Sequence, residues 1–147
     1  MLGSIPLLVG NGDGTFQNAK NSPVLQPHHL AVADFNGDSM LDVAIAGDES
    51  QRVSILINLG AGNFGPATNM ISGGRPHAIA CGDFDGDGKV DIATVHFSQN
   101  RLSVLLGNGN GTFHDGISMQ VGLGPHHVIA ADMDNNGSLD LVIANSD

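Results

Sequence analysis

Short apolar runs of four to six residues recur along the chain, separated by turns rich in glycine or in Asp and Asn. Ile5 to Val9, Val53 to Asn58 and Leu102 to Leu106 form one series, and Leu30 to Ala33, Ala78 to Cys81 and Val128 to Ala131 a second. Asp42 to Ala46, Asp91 to Val95 and Asp140 to Ala144 form a third. Runs of this length, rich in Val, Ile and Leu and bounded by turn residues, predict β-strands. A weaker fourth series lies at Pro23 to Gln26, Asn69 to Ser72 and Ser118 to Val121. The 3.6-residue period of helices is absent.

All four series recur at about 49 residues, so the chain is a single repeat domain with units at about 1–49, 50–98 and 99–147. Four antiparallel strands in such a unit are the pattern of a β-propeller blade, and the expected fold is all-β with three blade-equivalents. The phase of the repeat leaves two outer strands at the N-terminus and two inner strands at residues 127 to 145, a blade split between the ends. Three blades fall short of the roughly four to eight that close a ring, and half-blades expose unpaired edges. The expected partner is therefore a second copy, joined head to tail as a homodimer with a six-bladed ring; the competing expectation is that the chain is cut from a longer propeller.

The second and third series are joined by acidic loops. Asp83-Phe84-Asp85-Gly86-Asp87-Gly88-Lys89-Val90-Asp91 carries carboxylates at positions 1, 3, 5 and 9, and copies run from Asp34 to Asp42 and from Asp132 to Asp140. Oxygen donors at alternate positions, with glycines that let the backbone fold around an ion, match what a hard cation such as Ca²⁺ requires. The expected ligands are Asp83, Asp85, Asp87, Asp91 and the Lys89 carbonyl in the second loop. In the first they are Asp34, Asn36, Asp38, Asp42 and the Met40 carbonyl, and in the third Asp132, Asp134, Asn136, Asp140 and the Ser138 carbonyl.

About three Ca²⁺ per chain are expected, binding more tightly in loop two, with four carboxylates, than in loops one and three, with three each. Position 12, a bidentate Glu in an EF-hand, is Ile45, Thr94 or Ile143, which excludes that motif. Polar Asx turns would use the same residue types. A turn needs one or two such side chains, however, and four gathered carboxylates repel by roughly 1 to 4 kcal/mol per pair at surface-like dielectric.

The loops also account for the charge. The chain has 15 acidic and 5 basic residues and a formal net charge of −10, and ten of the acids lie in the loops. Three bound Ca²⁺ would bring it to about −4. Nucleic acid is an improbable partner for such a surface. No segment approaches the roughly 18 apolar residues of a membrane span, and no signal peptide is visible. Cys81, the sole cysteine, is expected to be buried and inert.

Each unit also carries a glycine-rich turn ending in Phe: Gly10 to Phe16, Leu59 to Phe64 and Gly107 to Phe113. Without a following helix or a Gly-Lys-Ser/Thr, these are tight β-turns and not phosphate cradles. Phe16, Phe64 and Phe113, with Phe35, Phe84 and Met133 in the acidic loops, are expected to pack between neighbouring blades. His28, His77 and His126 share a position after proline, with His29 and His127 beside two of them. Symmetry could gather them into a ring suited to a transition metal or a pH switch. A repeated structural position, with the imidazole capping a turn, is the favoured expectation.

Val104-Leu105-Leu106-Gly107-Asn108-Gly109-Asn110-Gly111-Thr112-Phe113, the Pro-His segment and Gly82-Asp83-Phe84-Asp85-Gly86-Asp87, in fixed order three times, resemble the FG-GAP/VCBS repeat. The resemblance covers essentially the whole chain. It implies calcium-bound propeller blades in secreted or surface proteins, among them integrin α-subunit heads and some lectins. The chain departs from the family pattern at Asn135-Asn136-Gly137 and at Ser39. A calcium-stabilised scaffold for interaction or adhesion is the first expectation, with a protein or glycan ligand. A carbohydrate-binding lectin is the alternative, weakened by the lack of Trp and Tyr. An accessory module of a hydrolase or lyase is more remote, and no catalytic residues are expected.

Overall fold

Turn and strand signals resolve into twelve strands in a computed structural model that describes residues 2–146. In chain order they are β1 (Leu2–Leu7), β2 (Lys20–Leu25), β3 (His29–Ala33), β4 (Asp42–Gly47), β5 (Arg52–Leu56) and β6 (Thr68–Ile71). Then follow β7 (Ala78–Gly82), β8 (Asp91–His96), β9 (Arg101–Gly107), β10 (Phe113–Gln120), β11 (Pro125–Ala131) and β12 (Asp140–Asn145). A single 3-10 turn, Phe97–Gln99, is the one helical element among the described residues. The repeat boundaries at 1 and 147 fall outside the described residues.

β3 to β6 and β7 to β10 form two four-stranded antiparallel meanders, flanked by the two-stranded sheets β1–β2 and β11–β12. No sheet closes into a barrel, and β1–β2 and β11–β12 are separate sheets within the chain. The sheets stack face to face, with β3 beside β7 and β7 beside β11. β4 and β8 are buried along all six residues, because a strand with a sheet on either side has no solvent face and so reads as a continuous apolar run.

Three apolar layers hold the stack. Ala44, Ala46, Val53 and Ile55 of the first complete sheet meet Ile79, Ile92 and Leu105 of the second. Ala93, Val95, Leu102 and Val104 meet Val128, with Leu141 and Ile143 beside it. Ile5 and Val24 of β1–β2 cover Val43, Ile45 and Leu56.

Strand bounds depart from the expected ones where hydrogen bonding outlasts the apolar run. β10 begins at Phe113 and not at Ser118, since the tight turn pairs Phe113 with Gly107, and a register shift lies between Asp115 and Ser118. β11 begins at Pro125, three residues early, and β1 runs from Leu2 and stops at Leu7.

Not every Phe packs as expected. Phe35 is buried, its ring edge-on to Phe113 at 5.6 Å, and Phe64 and Phe84 pack against their layers. Phe16 and Met133 are each 63% exposed. Both sit at the ends of the stack, where no neighbouring sheet is present to receive them.

Candidate metal centres

The three acidic loops are the hairpin connections β3–β4, β7–β8 and β11–β12, closed by the pairs Ala33↔Asp42, Gly82↔Asp91 and Ala131↔Asp140. Each loop turns through two left-handed residues, at positions 4 and 6: Gly37 and Ser39, Gly86 and Gly88, Asn135 and Gly137. Glycine suits that backbone, and Asn tolerates it. Ser39, at φ 67°, is held there by its N–H, which donates to Asp34 Oδ2 at 2.7 Å.

The first carboxylate organises each loop. Asp34 Oδ1 accepts N–H bonds from Asn36, Gly37 and Asp38. Asp83 accepts from Gly86, Asp87 and Gly88, and Asp132 from Asn136 and Gly137. Burial pushes the Asp34 carboxyl up, but the four N–H donors of Ser39, Gly37, Asn36 and Asp38 outweigh it and hold the group below its usual range.

Position 5 accepts the N–H of position 7 in all three loops: Asp38 from Met40, Asp87 from Lys89 and Asn136 from Ser138. The Lys89 ammonium also bonds the Asp87 carboxylate, and that hydrogen bond is the main reason Asp87 titrates below its usual range.

Position 9 does more than the expected ligand role. Asp42 and Asp91 are buried, and each bridges two backbone donors. Asp42 accepts from Phe35 N at 3.0 Å and Asn58 N at 2.8 Å. Asp91 accepts from Phe84 N and Gly107 N, both at 2.8 Å. Asp140 accepts from Met133 N at 2.9 Å. In Asp42 and Asp91 this carboxylate ties the acidic loop to the glycine turn, a role that nothing in its spacing announces.

Asp83, Asp85 and Asp91 each offer an oxygen within 4.8 Å of the others, as do Asp132, Asp134 and Asp140. These clusters can hold a metal ion, and their all-oxygen donor sets fit a hard cation. Asp87 stands outside the first set, drawn to Lys89. Asp34, Asp38 and Asp42 form no such cluster. Position 3 there is the amide of Asn36, whose Nδ2 donates to Asp38 Oδ2 at 2.8 Å.

The Pro-His positions combine the two expectations: His28 bonds the backbone carbonyl of His77, and His28, His77 and His126 gather with ring centroids 4.3 and 5.2 Å apart. Sequence reasoning also passed over His96, which is buried, its Nε2 lying 3.2 Å from Thr94 Oγ1 and 3.0 Å from Ser103 Oγ. An imidazole beside one hydroxyl in the sequence, Thr94, leaves no periodic mark, and Ser103 comes from the next strand.

Stacked antiparallel sheets, three of the four opened by an acidic hairpin, define a class of repeat proteins with cation-type loops. A model of the FG-GAP-like repeat matches residues 34–94 and 83–143, about three quarters of the chain, and the chain belongs to that family. No curated protein is a significant match.

Proposed function

We propose that this chain is a calcium-stabilised β-propeller module, secreted or surface-exposed, that serves as a scaffold for protein or surface interaction and not as an enzyme. The observation that carries the calcium assignment is the clustering of Asp83, Asp85 and Asp91, repeated at Asp132, Asp134 and Asp140. Three or four carboxylates crowded on one hairpin are a liability until a cation neutralises them. The chemistry lies in holding the hairpin, since these groups are committed to backbone N–H donors.

Each ion adds about 2.7 kcal/mol of stability at a hundredfold excess over its dissociation constant. Calorimetric titration should find about three Ca²⁺ per chain, and chelator should lower the melting temperature. A titration without binding heat and a melting curve indifferent to chelator would together overturn the assignment.

We further propose that a second copy completes the ring head to tail. The two ends of the stack expose positions whose repeat equivalents are buried. Leu30 and Val32 on β3 are 48% and 59% exposed, whereas Ile79, the equivalent of Leu30, is 2% exposed against the preceding sheet. Ile129 and Val142 are exposed at the other end, and their equivalents Ala80 and Ala93 are buried.

Phe16 supplies the register. Within the chain, Phe113 seats against Phe35, Ile55 and Ile57, and Gly111 N–H donates to the Phe35 carbonyl at 2.8 Å. One repeat further on, Phe84, Val104, Leu106 and Ile117 line an apolar pocket, and the exposed Phe16 ends the turn whose sequence matches that of Phe113. Asp42 and Asp91 take their second N–H from Asn58 and Gly107 at the start of the glycine turn. For Asp140 the matching residue is Gly10 of the second copy.

A further inference from the structure

Five histidines meet where β3, β7 and β11 begin, about 17 Å along the strands from the acidic loops at a rise of roughly 3.3 Å per residue. His28 and His77 have ring centroids 4.3 Å apart, and Phe97 packs against His77 and His126 at 5.7 and 4.7 Å. His29 and His127 form a separate edge-on pair at 5.0 Å.

Hydrogen bonds sort the nitrogens. His28 Nδ1 lies 2.8 Å from the His77 carbonyl. A carbonyl only accepts, so Nδ1 carries the proton and Nε2 keeps its lone pair. His29 Nδ1 instead accepts the Ile79 N–H at 3.4 Å, which places its proton on Nε2 and commits its lone pair. His77 has Nδ1 3.8 Å from Asp48 Oδ2 and Nε2 3.3 Å from His126 Nδ1; in the tautomer that donates Nε2–H to His126, the Nδ1 lone pair faces the carboxylate. Arg75 Nε stands 3.5 Å from the other oxygen, Asp48 Oδ1.

We propose that His28, Asp48 and His77 form a binding site for a borderline-soft divalent transition metal of the Zn²⁺ class. One ligand atom from each lies within 4.8 Å of the other two. Bonds of about 2.0 Å in a tetrahedron set ligand edges near 3.3 Å, so the His77–Asp48 pair has to close by about half an ångström and the two edges to His28, which lie within 4.8 Å, by at most about 1.5 Å. Two imidazoles and one carboxylate select Zn²⁺, Ni²⁺ or Cu²⁺ over Ca²⁺, which takes oxygen donors. The His77 carbonyl orients His28, an outer partner of the kind metal-bound histidines characteristically have, and His126 holds the far nitrogen of His77. His28 is exposed, which gives an ion a way in.

The test is titration of the full chain with Zn²⁺ in a large excess of Ca²⁺, which keeps the acidic loops occupied, read by competition with a chromophoric chelator. One Zn²⁺ per chain should bind. His28→Ala and Asp48→Asn should each weaken it at least tenfold, and His126→Ala by roughly tenfold as an outer partner. His114→Ala, which removes an exposed histidine bonded to Asn108, should leave it unchanged. His28→Ala is the primary variant because His77 is packed against three rings, and a melting temperature in Ca²⁺ equal to that of the parent establishes that the variant folds. Absence of Zn²⁺ binding, or binding unaltered in folded His28→Ala and Asp48→Asn, would overturn the site.

Discussion

Two residues show how one side chain can serve loop, core and backbone together. Asp91 is buried with both oxygens bonded to backbone N–H groups, so Asp91→Ala strands a buried donor at about 1 to 3 kcal/mol and a part-buried one at about 1 to 2. The loss, about 2 to 5 kcal/mol in urea unfolding, should persist in chelator, where a side chain acting only as a metal ligand would show none. Ser39 presents the reverse case. Held left-handed at φ 67°, it carries a strain that glycine lacks, and Ser39→Gly should raise stability by about 1 kcal/mol.

His96 adds a pH dependence. Burial, with Arg101 nearby, holds its imidazole below the usual range. The unfolded chain therefore takes up a proton near pH 6.5 that the folded chain resists. Its contribution is complete above that pH and is lost as pH falls towards the folded value. Urea midpoints measured down from neutral pH should decline less steeply in His96→Gln than in the parent. Cys81 is half-buried, and burial pushes its thiol from 9.0 up to about 12. Alkylation near pH 8 should be roughly a thousandfold slower than for a thiol at the unperturbed value.

At the scale of the element, the loops differ in donor chemistry while sharing a backbone. Asn36 replaces a carboxylate in loop one and turns its amide N–H onto Asp38, whereas Asp83, Asp85 and Asp91 converge in loop two. Asp85→Asn should give loop two the donor set of loop one, and calorimetry should show the tightest Ca²⁺ site weakened towards the other two. The loops were legible residue by residue, because alternate oxygens and glycines are a local code that three copies repeat. Tight turns and central strands were legible for the same reason. The start of β10 was not, since it depends on the pairing of Gly107 with Phe113 across a turn. The histidines were legible as a repeat and their gathering only as the less favoured alternative, because their meeting depends on β3, β7 and β11 standing side by side.

For the whole molecule, the exposed residues carry more information than the buried ones. A sheet stack of this kind can end in polar faces, as an edge must if it is to remain soluble alone. Here the ends present Leu30 and Val32 on one side and Ile129, Val142 and Met133 on the other, at positions that are buried or half-buried in the second repeat, which has a neighbour on either side. Phe16 gives the sharpest test, because it packs on little within its own chain and its substitution should spare the fold. Phe16→Asp puts a charge into a pocket lined by Phe84, Val104, Leu106 and Ile117. Desolvating that carboxylate without a partner costs several kcal/mol, and ring closure uses the contact twice. Sedimentation in Ca²⁺ should show the parent as a dimer and Phe16→Asp as a monomer, with circular dichroism unchanged. A parent that remains monomeric, or a variant that remains dimeric, would exclude this seat for Phe16. The former outcome would leave those apolar faces to be covered by repeats of some other chain.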